Sequence, residues 1–118
     1  MSNRDIGAAK EAKALQFLKK QGLKLVCQNY HCRSGEIDLI MQHKNSLVFI
    51  EVRYRRSDAF GSALESVDWR KQQKIIMTAR HYLQQLRQEL PECRFDVVTL
   101  HDNASEPVSW LKNAFQIN

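Results

Sequence analysis

Two apolar runs in this sequence carry acidic residues where a buried core is expected. Ile37 to Gln42 and Leu47 to Tyr54 are rich in Ile, Val, Leu and Phe, the composition of β-strands. Alternate residues of a strand share a face. Glu36, Asp38 and Ile40 therefore point one way, and Ile37, Leu39 and Met41 the other. In the second run Leu47, Phe49, Glu51, Arg53 and Arg55 share a face, so that face begins apolar and then turns charged. His43-Lys44-Asn45-Ser46 between the runs has turn chemistry and predicts an antiparallel hairpin. One carboxylate from each strand, Asp38 and Glu51, then lies beside a cation, Arg53, near the end of a sheet.

That layout is suited to metal-dependent phosphodiester hydrolysis. Mg²⁺ and similar hard cations prefer oxygen ligands, typically one or two carboxylates plus water and substrate phosphate. Such an ion acidifies a bound water and offsets charge building on phosphorus, and a nearby cation steadies the transition state. Glu11 is a third candidate. On a helix it lies on the same side as Leu15 and Leu18, so its carboxylate either reaches inward to a metal or snorkels to solvent. For Asp38 and Glu51 the plainer alternative is a cross-strand ion pair with Arg53 or Arg33.

The elements that must position these residues follow from periodicity. Arg4 to Gln21 reads as a helix, with Ala8, Leu15 and Leu18 near helical spacing and Gly22 placed to end it. Leu23 to Tyr30 reads as a first strand. Arg55 to Ser66 is polar and reads as a loop. A long helix follows, capped by Ser66 or Asp68 and running to about Glu89, with Ile75, Ala79, Leu83, Leu86 and Leu90 as its apolar stripe. Phe95 to Leu100 is a late strand, and Val108 to Leu111 a short final one. Strands and helices in this order predict a single α/β domain over residues 1–118.

The chain's net charge of +5 is unevenly spread. Between Arg53 and Arg87 eight cations face three anions, which accounts for the whole excess. Arg55, Arg56, Arg70, Lys71 and Lys74 belong to this segment. It predicts a face that meets a polyanion such as a phosphate backbone, although a solvated helix face would look the same. The three cysteines are an odd number without an export signal, and no apolar run is long enough to cross a bilayer. A cytoplasmic protein with reduced thiols and no membrane partner is expected. Trp69 and Trp110 are expected to pack rather than to stack on bases, and Asp96 to pair with a basic residue.

Gly35-Glu36-Ile37-Asp38-Leu39-Ile40, Val48-Phe49-Ile50-Glu51-Val52-Arg53, Phe60-Gly61, Lys71 and Arg94-Phe95-Asp96-Val97-Val98 together resemble the YraN family. Gly7, Glu11, Ala14, Leu18, Gly22 and Asn29 extend the likeness toward the amino terminus. These small bacterial proteins are regarded as predicted endonucleases, distantly similar to archaeal Holliday-junction resolvases. The resemblance implies a restriction-endonuclease-like core of the PD-(D/E)XK type, a mixed β-sheet flanked by helices. It also implies Mg²⁺ or Mn²⁺ held by Glu11, Asp38 and Glu51, with DNA a more natural substrate than RNA, and it suggests a homodimer.

One departure stands out. Arg53 occupies the place of the superfamily's lysine, and an arginine keeps its proton, so it can hold phosphate but is a poor base. Lys71 or Lys74 is then the alternative source of an amine. Three readings follow: a metal-dependent DNA nuclease acting on branched or otherwise structured DNA, a nucleic-acid-binding module that has lost its chemistry, or an interaction protein whose acids form ion pairs.

Overall fold

A computed structural model describes residues 3–55, 67–86, 92–102 and 107–116. Helix α1 (Asn3–Lys20) leads into strands β1 (Lys24–Cys32), β2 (Gly35–His43) and β3 (Ser46–Arg55). Helix α2 (Trp69–Gln84) follows, then strands β4 (Glu92–His101) and β5 (Val108–Phe115). The five strands form one sheet in the order β1-β2-β3-β4-β5. All neighbours are antiparallel except β3 and β4, which are parallel. A parallel pair needs a crossover, and α2 lies in that connection. This is the mixed sheet flanked by helices that the family resemblance implies.

The two helices cover opposite faces. Ala14 and Leu18 of α1 bury Leu39, Met41, Val48, Ile50, Val98 and Leu100. Ile75, Ile76, Ala79 and Leu83 of α2 bury Ile37, Ile40, Phe49, Phe95 and Val97. Ala8, expected on the stripe of α1, is exposed, and Ala14 takes that role. Among the described residues no helix is long and apolar enough to cross a membrane.

The helix ends explain the orientation of the layers. Gly22 has φ +96°, which favours glycine. Its N–H donates to the Lys19 carbonyl at 3.0 Å, and that of Leu23 to Leu18 at 3.1 Å. This paired closure satisfies carbonyls that a helix end leaves open, and both Leu18 and Leu23 are buried in the core. At the start of α2 the cap is Asp68, whose Oδ1 accepts from the Lys71 N–H at 2.8 Å. The alternative cap, Ser66, lies outside the described residues, as do Leu90 and nearly all of the expected loop from Arg55.

Two expectations need correction. Helix α2 ends at Gln84 rather than near Glu89. The N–H groups of Gln85 and Leu86 donate to the carbonyls three residues back, tightening the last turn. Leu86 then packs against the core from beyond the helix. Strand β5, expected as a short piece, continues to Phe115, whose ring stacks on Phe95.

Candidate functional site

Strict alternation fails at Asp38, and the site is built on that failure. Leu39 and Met41 lie under α1, as expected for one face. Ile37 and Ile40, expected on opposite faces, both lie under α2. Gln28 pairs with Leu39 and Tyr30 with Ile37, so Asn29 stands opposite Asp38. Asn29 has φ +51°, a left-handed conformation that Asn tolerates better than most residues. The irregular step lets the chain turn over between Ile37 and Leu39.

Strands β2 and β3 separate at the same level. Their ladder reaches Leu39 and Ile50 and goes no further. The Val52 N–H instead donates to Asp38 Oδ2 at 2.8 Å. A carboxylate thus replaces a backbone acceptor in the gap between two strands, where it can interact with groups from both faces.

Glu51 follows Leu47 and Phe49 on the α2 side and is only 7% exposed. Lys71 of α2 brings its Nζ to 3.5 Å from Glu51 Oε1, and Arg53 Nε stands at 3.9 Å. The Arg53 nitrogen is buried without a hydrogen-bond partner. From the opposite face α1 contributes Glu11, close enough to feel the Asp38 charge, with its Oε1 buried and without a hydrogen-bond partner. Asp38 is therefore the neighbour that Glu11 and Glu51 share. A cleft of about 290 Å³ opens here, lined by Lys10, Glu11, Asn29, Asp38, Arg53 and Tyr54 among others.

The electrostatics reflect crowded acids. Burial, and then the Asp38 charge, push the Glu51 carboxyl up to about 7 against the pull of Lys71 and Arg53. Burial and the charges of Asp38 and Glu36 push Glu11 up to about 7 as well. Asp38 is also raised, chiefly by burial, although the Val52 N–H opposes this. Carboxylates that resist ionisation together, with one oxygen unsatisfied, make a donor set that a cation would relieve. In their present poses, however, no three His, Cys, Asp or Glu side chains among the described residues converge closely enough to hold a metal ion. Asp38 and Glu51, each within reach of the other's charge, offer the oxygen donors that hard divalent cations prefer.

The basic residues divide. Lys71 is committed to Glu51, whereas Arg70 and Lys74 are exposed on α2. Arg55 is half-buried at the end of β3, and Arg56 lies outside the described residues. Trp110 packs edge-on to Phe17 and donates to Asp96, but Trp69 is 70% exposed, against the packing expected of it. Asp96 is buried by Arg94, Trp110 and the Asn113 N–H, away from the cleft. Asn29 and Tyr54 line the cleft without having been assigned a role there. Asn29 had no signal readable from one strand, because its effect appears only opposite Asp38.

Fold and cleft together define an α/β protein whose mixed sheet splits between two strands around the half-buried Asp38 and the buried Glu51. The sequence model of Uncharacterised protein family UPF0102 matches residues 10–100, and the chain belongs to that family. It is 52% identical over 110 residues to a UPF0102 protein of Psychromonas ingrahamii, covering 93% of this chain and 88% of the relative. A UPF0102 protein of Ectopseudomonas mendocina is 48% identical over 97% of both chains. One from Nitrosococcus oceani is 47% identical over 98% of this chain and 95% of its own.

Proposed function

We propose that this protein is a metal-dependent nuclease acting on structured DNA, in line with its resemblance to the YraN endonuclease-like proteins. The observation that carries this reading is the half-buried Asp38 beside the buried Glu51 at the split between β2 and β3, with Lys71 and Arg53 against the Glu51 carboxylate. Burying a carboxylate such as Glu51 beside a second acid is costly even with cations at hand.

Asp38 and Glu51 would hold Mg²⁺ or Mn²⁺, with Glu11 backing Asp38 from α1. The bound ion would supply a more acidic water and charge neutralisation. Hydrolysis forms a bond from water oxygen to phosphorus while the phosphorus–oxygen bond to the leaving strand breaks with its electron pair. Lys71 offers a rotatable ammonium 3.5 Å from Glu51, able to donate to a phosphate oxygen or to the attacking water. Arg53 holds charge in the same place. Exposed Arg70 and Lys74 then meet flanking phosphates, and exposed Trp69 gives a base or sugar an apolar surface.

The test is cleavage of single-stranded, duplex, flap and four-way DNA with Mg²⁺, with Mn²⁺ and with chelator. Cleavage should need the metal, and Asp38→Asn or Glu51→Gln should lower it by about 100-fold or more while DNA binding survives. A second reading, binding without cleavage, is favoured by one feature: the strand bears Arg53 instead of an amine. It predicts salt-sensitive binding with no products under any metal, and Arg53→Lys would then switch cleavage on.

A further inference from the structure

The basic face expected from sequence lies on α2, yet the helix on the other side of the sheet carries a second one. Lys10, Lys13, Phe17 and Lys20 recur at steps of three and four residues along α1, a single stripe about 15 Å long. They line one side of a cleft of about 390 Å³ whose other side includes Leu100 and Val108. Lys10 also lines the carboxylate cleft, so the two are joined at that residue. Its Nζ lies 4.1 Å over the Tyr54 ring and 3.6 Å from Asp102, the acid bordering the second cleft.

A row of cations beside an apolar floor is the surface that an unpaired nucleic-acid strand requires. Phosphates track the cations while bases settle on aromatic and aliphatic side chains, which a duplex keeps stacked inside. Exposed Arg70 and Lys74, by contrast, stand on the far side of the sheet, and the split holding Asp38 lies between the two surfaces. We propose that the α1 cleft binds a single-stranded segment leading away from the Asp38–Glu51 gap, so that the preferred ligand is DNA with a junction between duplex and single strand. This rests on the nucleic-acid part of the function proposed above and requires no cleavage.

Fluorescence anisotropy of the full chain with an oligothymidine, a blunt duplex, and the same duplex bearing a single-stranded tail tests this across a salt series. The tailed duplex should bind more tightly than the blunt one. Replacing Lys13 and Lys20 together with Gln should weaken oligothymidine binding about tenfold and flatten its log–log salt slope by about 1.4. Duplex affinity should suffer less from this pair than from Arg70→Gln with Lys74→Gln. Circular dichroism controls for folding of each variant. Should the wild type bind the oligothymidine with Lys13 and Lys20 making no difference, the α1 path is wrong while the nuclease reading stands. If it binds no DNA even at low salt, the nucleic-acid reading falls, and the α1 path with it.

Discussion

Glu51 sits between one amine, one guanidinium and one carboxylate, and its neighbours respond differently to substitution. Lys71 is the closer cation, at 3.5 Å against 3.9 Å for Arg53. It is also the more adaptable, since a compact ammonium can turn from Glu51 to a phosphate while a planar guanidinium held by its buried Nε cannot follow easily. Lys71→Met should therefore lower metal-dependent cleavage by about 100-fold, and Arg53→Lys in that background should restore part of it by returning an amine to the same carboxylate. Rescue is the decisive readout, because a merely structural role for Lys71 gives no reason to expect it. Asp38 has a separable duty in the fold. Asp38→Asn keeps an oxygen for the Val52 N–H, whereas Asp38→Ala strands that donor and should cost about 1–3 kcal/mol in a denaturant titration. Equal stability of the two variants would show that water replaces the carboxylate in the gap.

At the scale of elements, the turn between β1 and β2 sets how closely α2 approaches the hairpin. Gly35 has φ +152°, and a Cβ there would stand 3.2 Å from Thr78 Oγ1 and 3.7 Å from Lys74 Cβ. Gly35→Ala should cost about 1–2 kcal/mol, and by lifting α2 it should also loosen the contact of Lys71 with Glu51. A stability loss without change in DNA cleavage would uncouple the turn from the site. The hairpin and the Asp68 cap were legible in the sequence because each rests on local chemistry: turn residues between two apolar runs, and a carboxylate three residues before the N–H it caps. Asp38 and Glu51 were legible as acids in apolar strands. Their spatial relation was not, since period-two alternation assigns Asp38 a face and cannot register a left-handed Asn29 in the neighbouring strand. The early end of α2 escaped for a similar reason: Gln85 and Leu86 are compatible with helix, and the tightened last turn together with core packing of Leu86 decides against it. The basic stripe of α1 was hidden by arithmetic, because acids elsewhere cancel its charge in the sum over the rest of the chain.

For the whole molecule, crowded acids link stability to protons and, under the proposed function, to metal. Glu11 and Glu51 hold their protons up to about 7, whereas unfolded glutamates release theirs near 4.5. Between those values the folded state binds more protons than the unfolded one, so this contribution to stability is complete below about 4.5 and disappears as pH rises through about 7. The sign is opposite to that of a carboxylate held ionised by a salt bridge. His43, whose pKa burial and the Arg94 charge lower, acts the other way, so the wild type is best read against Glu51→Gln. The variant should gain stability relative to wild type as pH rises from about 5 to 8, on the order of 2 kcal/mol, or several degrees in melting temperature. A divalent ion at the proposed site would bind the ionised acids and compete with the protons. Mg²⁺ or Mn²⁺ should therefore raise the wild-type melting temperature more at pH 8 than at pH 5, and Glu51→Gln should remove most of that rise. Ca²⁺, with its preference for six to eight oxygen ligands, should do less at a site offering two carboxylates. A metal-induced rise that is the same at both pH values, or that survives in Glu51→Gln, would place the ion elsewhere on the protein and leave the split between β2 and β3 as an acid cluster that folding tolerates.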